Sequence, residues 1–247
     1  MNPSTIKIND AHVHLGPSGP WTPDFDPSTS IEEIIDFSKE IGVERCIIFP
    51  NPAVGLEYFE CNKTIIEAAN SYPKLFIPFG RIDPRYKEIS IKEIRKLAHK
   101  GVVGVKLHPR VECFRPDHKF FLEVFNEIQR FGMIILSHSG TGFSEPEYWK
   151  PVIEKFRNLR LILAHFNERC VELLKNYDNV YADTSASNFL FIEKKIEILE
   201  IHEKLLFGSD YPYIRNVKEY IQKILKLKLP SKVKNAILYN NFNKILS

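Results

Sequence analysis

No stretch of the 247 residues approaches the roughly 18 consecutive apolar positions that a membrane-spanning helix requires, which argues against a helical membrane protein. The amino terminus, Met1-Asn2-Pro3-Ser4-Thr5, has no basic region followed by an apolar one, so no secretory leader is expected. Cysteine is scarce. Cys46, Cys61, Cys113 and Cys170 form no C-x-x-C pair, and a chain of this size needs no covalent staple, so a reducing cytoplasm is the expected location. The 34 basic and 31 acidic residues are mixed along the sequence, with none of the basic and aromatic interleaving that nucleic acid binding would use. A G-x-G-x-x-G turn after the first strand and a P-loop are also absent, which removes the usual signatures for dinucleotides and nucleoside triphosphates. These absences leave a small molecule as the expected partner, with no nucleic acid and no membrane; a homodimer is compatible with the sequence, but no segment marks an interface. Low methionine and cysteine beside abundant lysine, isoleucine and glutamate fit a hot habitat and an AT-rich genome equally well.

What the chain does contain is an ordinary globular balance, 44% apolar and 26% charged, in a length that suits one α/β barrel domain over residues 1–247. Ile6-Lys7-Ile8 opens a short strand that leads to Asp10-Ala11-His12-Val13-His14. Pro and Gly then crowd Leu15 to Ser30, which excludes helix and inner strand there. Ser30 and Glu33 form a capping box for a helix through Ile31, Ile34, Ile35, Ser38 and Ile41 that stops at Gly42. Arg45 to Pro50 follows as a continuous apolar run, the pattern of a strand buried on both faces. Further runs occur at Leu75 to Gly80, Val102 to Leu107, Met133 to Ser137, Leu159 to Ala164, Asn179 to Ala182 and Leu205 to Gly208, with helical spacing between them. Eight strands alternating with helices predict parallel pairing and a (β/α)8 TIM barrel, with an open doubly wound sheet as the competing arrangement. Asn216 and Glu219 cap a helix that runs to Pro230, and Ser231 to Leu246 reads as an extra C-terminal helix outside the barrel.

In such a barrel the carboxyl ends of the strands converge on one mouth, so what each strand ends with decides the chemistry. His12 and His14 end the first strand, Lys106 and His108 the fourth, His138 the fifth, His165 the sixth, Asp183 the seventh and Asp210 the eighth. Five of the eight histidines fall at these positions, where random scatter would put about one. Any one of them could merely bond a loop carbonyl; their convergence points instead to a metal site. Imidazole and carboxylate together suit a Zn-like divalent ion with room for water, so His12, His14, His138 and Asp210 are the expected ligands. His165 is either a further ligand or a base or donor beside the ion. His99, His118 and His202 lie in helical or loop stretches and are expected to face solvent.

The motifs Asp10-Ala11-His12-Val13-His14, Gly104-Val105-Lys106-Leu107-His108-Pro109, Ser137-His138-Ser139-Gly140, Leu163-Ala164-His165, Ala182-Asp183-Thr184-Ser185 and Phe207-Gly208-Ser209-Asp210-Tyr211-Pro212 occur in this order, and Asn240 to Leu246 closes the chain. As a set they resemble the amidohydrolase superfamily, most closely its amidohydrolase-2 group of metal-dependent hydrolases and decarboxylases. That resemblance implies the same barrel, one divalent ion held by His12, His14, His138 and Asp210, and His165 close by. It also implies that Lys106 is either carboxylated, bridging two metals, or a cation beside substrate, with His108 two residues along.

A bound divalent ion lowers the pKa of water from about 15.7 to near 7. The resulting expectation is a hydrolase that uses a metal-activated water on an amide, lactone or ester, with Asp210 taking the proton and passing it to the leaving group, and His165 or the ion polarising the carbonyl. Decarboxylation of a small aromatic or unsaturated acid is the alternative that the resemblance allows; a barrel without catalysis, acting as a binding protein, is the third. Substrate choice is expected in the mouth loops, Leu15 to Ser30, Pro50 to Glu60, Pro109 to Asp117 and Ser139 to Tyr148. These carry Trp21, Phe25, Tyr58, Phe59, Arg110, Phe114, Arg115, Phe143 and Tyr148, which suit a small, partly apolar acid. Arg81, at the end of the third strand, and Asp183 are further candidate substrate contacts.

Overall fold

The computed structural model of the chain describes residues 6–17, 26–52 and 58–247. Eight parallel strands pair in sequence order: β1 (Ile8–Leu15), β2 (Val43–Pro50), β3 (Phe76–Arg81), β4 (Gly104–Leu107), β5 (Ile134–His138), β6 (Leu161–Ala164), β7 (Val180–Asp183) and β8 (Leu205–Leu206). The residues after β8 return to β1. Ala11 N–H donates to Phe207 O at 2.8 Å, His14 N–H to Tyr211 O at 2.8 Å, and Asp210 N–H to His12 O at 2.9 Å. These bonds close the sheet, so the arrangement is the expected TIM barrel and not the open sheet.

The crossovers that parallel pairing requires include α1 (Ile31–Ile41), α2 (Tyr58–Ser71), α3 (Lys87–His99), α4 (Leu122–Arg130), α5 (Lys150–Lys155), α6 (Val171–Asn176) and α7 (Phe189–Leu199), with α8 (Val217–Lys226) following β8. At α1 the capping box forms as its sequence dictates: Ser30 Oγ accepts from Glu33 N–H, Glu33 accepts from Ser30 N–H, and Gly42 takes the left-handed conformation that ends the helix. No periodicity had marked α2, and it absorbs Tyr58 and Phe59 from what reads as a loop in the sequence. Trp21 and Phe25 lie outside the described residues.

Two layers of apolar side chains follow from strand alternation. The barrel interior holds Ile47 and Phe49 of β2, Phe79, Leu136, Ala164 and Leu206, while Val13, Ile48, Val105, Leu107 and Ala182 face the helices. On β1 the pairing register with β2 shifts between Asp10 and Val13. Through this irregularity Ala11 packs inside while His12 and His14 still end at the interior mouth. The C-terminal segment departs from expectation. It comprises α9 (Ser231–Asn235), a π-helical turn over Ala236–Asn240, and α10 (Asn241–Leu246), and α10 does not lie outside the barrel. Phe242 and Ile245 enter the interior cluster and plug its lower end. The widened turn frees carbonyls that the barrel uses, Ile237 O accepting from Phe207 N–H at 2.9 Å and Tyr239 O from Asn9 Nδ2 at 3.3 Å.

Candidate metal centre and cavity

At the mouth, His12 Nδ1 lies 2.7 Å from Asp183 Oδ2. A carboxylate oxygen only accepts, so His12 carries its proton on Nδ1 and its lone pair on Nε2. That nitrogen faces Asp210 Oδ1 at 3.2 Å, and Lys106 Nζ donates to it at 3.2 Å. His14 Nε2 lies 3.1 Å from the same Asp210 oxygen. Atoms each about 2.1 Å from one ion stand about 3.0–3.4 Å apart in octahedral or tetrahedral geometry, and the spacings of 3.1 and 3.2 Å fall within that range. The His12 lone pair aimed at the Asp210 oxygen is repulsive until a cation sits between them, and His14, whose Nδ1 has no hydrogen-bond partner among the described residues, can shift its proton there and turn Nε2 to the same ion. The three side chains therefore fit a divalent ion.

Asp183 reaches further than His12. Ser185 Oγ donates to Asp183 Oδ1, and that hydroxyl and the Ser185 carbonyl lie 2.8 and 3.2 Å from His165 Nδ1. With the hydroxyl proton committed, both oxygens can only accept, so His165 is protonated on Nδ1. Its Nε2 then accepts from His138 Nδ1 at 3.1 Å, and the His138 lone pair is left on Nε2. One fully buried carboxylate thus sets the tautomers of three histidines, leaving two of them with Nε2 ready to bind a cation. His12, His165 and Asp183 also form a compact cluster of potential ligands, but the Ser185 hydroxyl occupies its centre.

The backbone holds these groups under strain. His165 has φ 63° and Asp210 φ 59°, left-handed values that such residues adopt when their surroundings compel it. Asp183 Oδ1 binds His165 N–H at 3.1 Å. Gly208 lets the strands close here: a Cβ at this position would come within 3.0 Å of Asp183 Cγ and 3.1 Å of His12 Cβ.

Burial shapes the electrostatics. It lowers the His12 pKa well below the ordinary histidine value, with Lys106 adding to the effect, brings His14 to about 4, and also keeps His138 neutral. It lowers Lys106 to about 7, where the amine balances between cation and neutral form. Burial opposes ionisation of Asp210 as well, yet the His14 hydrogen bond holds its carboxyl below the usual carboxylate range. Above the centre opens a cavity of about 530 Å³ lined by His12, His14, Lys106, His108, His138, His165 and Asp210, with Pro52, Arg110, Val111, Cys113 and Tyr213 towards the rim.

A family model for amidohydrolases matches residues 10–246. The chain belongs to the amidohydrolase-2 family. Its members are metal-dependent enzymes, hydrolases and decarboxylases among them. Among solved structures, this amidohydrolase resembles a 5-carboxyvanillate decarboxylase from Sphingomonas paucimobilis at a TM-score of 0.78 and 15% identity, over 98% of this chain and 99% of that one. It also resembles a probable 2-pyrone-4,6-dicarboxylic acid hydrolase from Acinetobacter baumannii with citric acid bound, at 0.75 and 15%, over 97% and 98% of the two chains. A 5-carboxyvanillate decarboxylase from Novosphingobium aromaticivorans with bound manganese superposes at 0.70 and 16%, over 86% and 80%. No curated protein matches in sequence.

Set against the expected site of this amidohydrolase, the structure brings His12, His14 and Asp210 together and places His138 on the same cavity through His165. His165, expected as a further ligand or as a base or donor beside the ion, has both ring nitrogens engaged, Nδ1 with Ser185 and Nε2 with His138. Arg81 differs more: it is fully buried, its Nε donates to Glu112 Oε1 at 3.2 Å, and it is not among the described residues that line the cavity. Asp183 likewise lies beneath the cavity wall and serves the histidines, not a substrate. Arg115 pairs with Asp117 at 2.6 Å and lies over the Tyr148 ring, so only Arg110 among the mouth arginines is exposed and without a side-chain partner among the described residues. Sequence reasoning missed Ser185, Glu112 and Tyr213. Ser185 was within reach, two residues after a strand-end aspartate; nothing local marks Glu112. No helix among the described residues is long and apolar enough to cross a membrane.

Proposed function

We propose that this amidohydrolase hydrolyses an amide, lactone or ester of a small carboxylate-bearing substrate, with one divalent ion, Zn2+ first among the candidates, held by His12, His14, Asp210 and His138. The convergence of His12 Nε2, His14 Nε2 and Asp210 Oδ1 on one point beneath an open cavity carries the reading. A divalent ion there would supply Lewis acidity and a lower pKa for water. Asp210, ionised and facing the cavity, takes the proton from the attacking water at its carboxylate and delivers it to the leaving group. Lys106, buried beside His12, donates a hydrogen bond to the developing negative charge on the substrate. Arg110 at the rim grips the substrate carboxylate. His165 acts through His138 as a positioning residue.

Decarboxylation is the second reading, and two of the structural neighbours named above carry that activity in their names. One assay separates the two. The Zn2+- or Mn2+-loaded protein is incubated with lactones, esters, amides and aromatic acids while acid release and CO2 release are recorded in parallel. Acid release supports hydrolysis, CO2 release supports the second reading, and turnover of nothing by metal-replete protein would sink both. His138→Ala and Asp210→Ala are each expected to abolish turnover, and His138→Ala also to lower the bound metal.

A further inference from the structure

We propose that His108 is a fixed hydrogen-bond donor to a substrate oxygen, not a ligand for a second metal ion, and that Glu112 and Arg81 are the positioning residues that hold it so. The proposal rests on the cavity being the active site, as argued above.

After β4 the chain turns sharply, and a single residue binds the backbone of His108 at both of its polar groups. Glu112 N–H donates to His108 O at 2.9 Å, and Glu112 Oε2 accepts from His108 N–H at 2.9 Å. The other oxygen of that enclosed carboxylate accepts from Arg81 Nε at 3.2 Å and from Tyr58 OH at 3.1 Å. Arg81 in turn donates from Nη1 to Pro50 O at 3.1 Å. The turn is thereby tied to the ends of β2 and β3 and to the first residue of α2. Removing one partner would strand a buried charge, which makes this a stiff mount.

The ring itself is fixed twice over. It stacks on His138 with centroids 3.9 Å apart and planes 11° from parallel. Val111 N–H donates to His108 Nδ1 at 3.3 Å, so that nitrogen bears the lone pair and the proton resides on Nε2. Nε2, on the opposite edge of a ring that lines the cavity, has no partner among the described residues. A protonated nitrogen cannot coordinate a cation; it can only donate.

Lys106, His108 and Arg110, spaced two apart, all line the cavity and offer donors. Facing them are the acceptors of His12, His14 and Asp210. The cavity is polarised, with a cation-binding side at β1 and β8 and an anion-binding side at the β4 end. The matching ligand chemistry is an oxygen anion, carboxylate or enolate, of the substrate.

The test is long-range 1H–15N NMR of Zn2+-loaded protein labelled at histidine, with the His108 signals assigned by their loss in His108→Gln. The expected result is a neutral ring protonated on Nε2, together with equal zinc per chain in wild type and His108→Gln. In Glu112→Gln an amide must replace a carboxylate that accepts on both sides, and the ring should relax into a mixture of tautomers; Arg81→Lys, which keeps the charge but loses the fork, should do so in part. An Nδ1-protonated or zinc-bound His108, or the loss of a zinc equivalent in His108→Gln, would overturn the proposal. If the chain bound no zinc while His108 kept its proton on Nε2, the metal reading would fall and this inference would stand.

Discussion

Asp183→Asn isolates the tautomer relay, because Asp183 is fully buried and does not border the cavity. In the native protein Oδ1 accepts from His165 N–H at 3.1 Å, Ser185 N–H at 3.0 Å and the Ser185 hydroxyl, while Oδ2 accepts from His12 Nδ1 at 2.7 Å. An asparagine keeps its oxygen where three donors meet, which turns its NH2 towards His12. His12 Nδ1 must then accept, its proton moves to Nε2, and the lone pair needed by a cation disappears. Recovering it means breaking the new hydrogen bond. Loss of such an outer partner typically costs 10–100-fold in metal affinity, about 1.4–2.8 kcal/mol. In the metal-free fold the new His12 Nε2–H gains a bond to Asp210 Oδ1 across the existing 3.2 Å while Lys106 Nζ loses Nε2 as its acceptor, so the two changes offset and the melting temperature should move little. Zinc affinity from competition with a chromophoric chelator, and the melting temperature of chelator-treated protein, measure the two effects separately. A zinc dissociation constant within a factor of about two of wild type would refute the relay, because the hydrogen bond from His12 Nδ1 is what keeps the His12 Nε2 lone pair available to the cation.

Gly208→Ala should push Asp183 and His12 apart, since the added methyl would stand 3.0–3.1 Å from both; reduced zinc affinity with a nearly native circular dichroism spectrum is expected. Arg110→Ala should raise KM for a carboxylate substrate by about 10–100-fold with a smaller change in kcat, the loss of one charged hydrogen bond at about 1.5–3 kcal/mol, and steady-state kinetics on the substrate found in the panel will read it. Phe242→Ala should open a void at the lower end of the barrel, far from the cavity, costing about 3–5 kcal/mol. For a chain of this size that is roughly a 6–20 °C fall in melting temperature, with zinc stoichiometry unchanged.

The linear sequence already contained the barrel. Short apolar runs separated by amphipathic stretches admit few parallel arrangements, and strand ends are fixed wherever an apolar run meets a polar residue, so His12, His14, His138 and Asp210 could be assigned to one mouth from spacing alone. The Ser30 and Glu33 box was equally legible, because a cap is a local interaction between residues three apart. Helix α2 was not, since the periodicity of its buried face is weak and its stability comes from packing on β2 and β3. Composition also could not show that the C-terminal segment turns inward, because whether Phe242 meets solvent, a neighbour or the barrel floor depends on a cavity that exists only after closure. The roles of Arg81, Asp183 and His165 lay furthest out of reach. An arginine at a strand end looks the same in sequence whether it faces a substrate or a buried glutamate 31 residues away, and only the tertiary structure supplied Glu112 as its partner. Residue types and spacing thus determined which groups gather at the mouth; three-dimensional neighbours decided which nitrogen of His12, His108, His138 and His165 carries the proton, and so which can bind a cation and which can only donate.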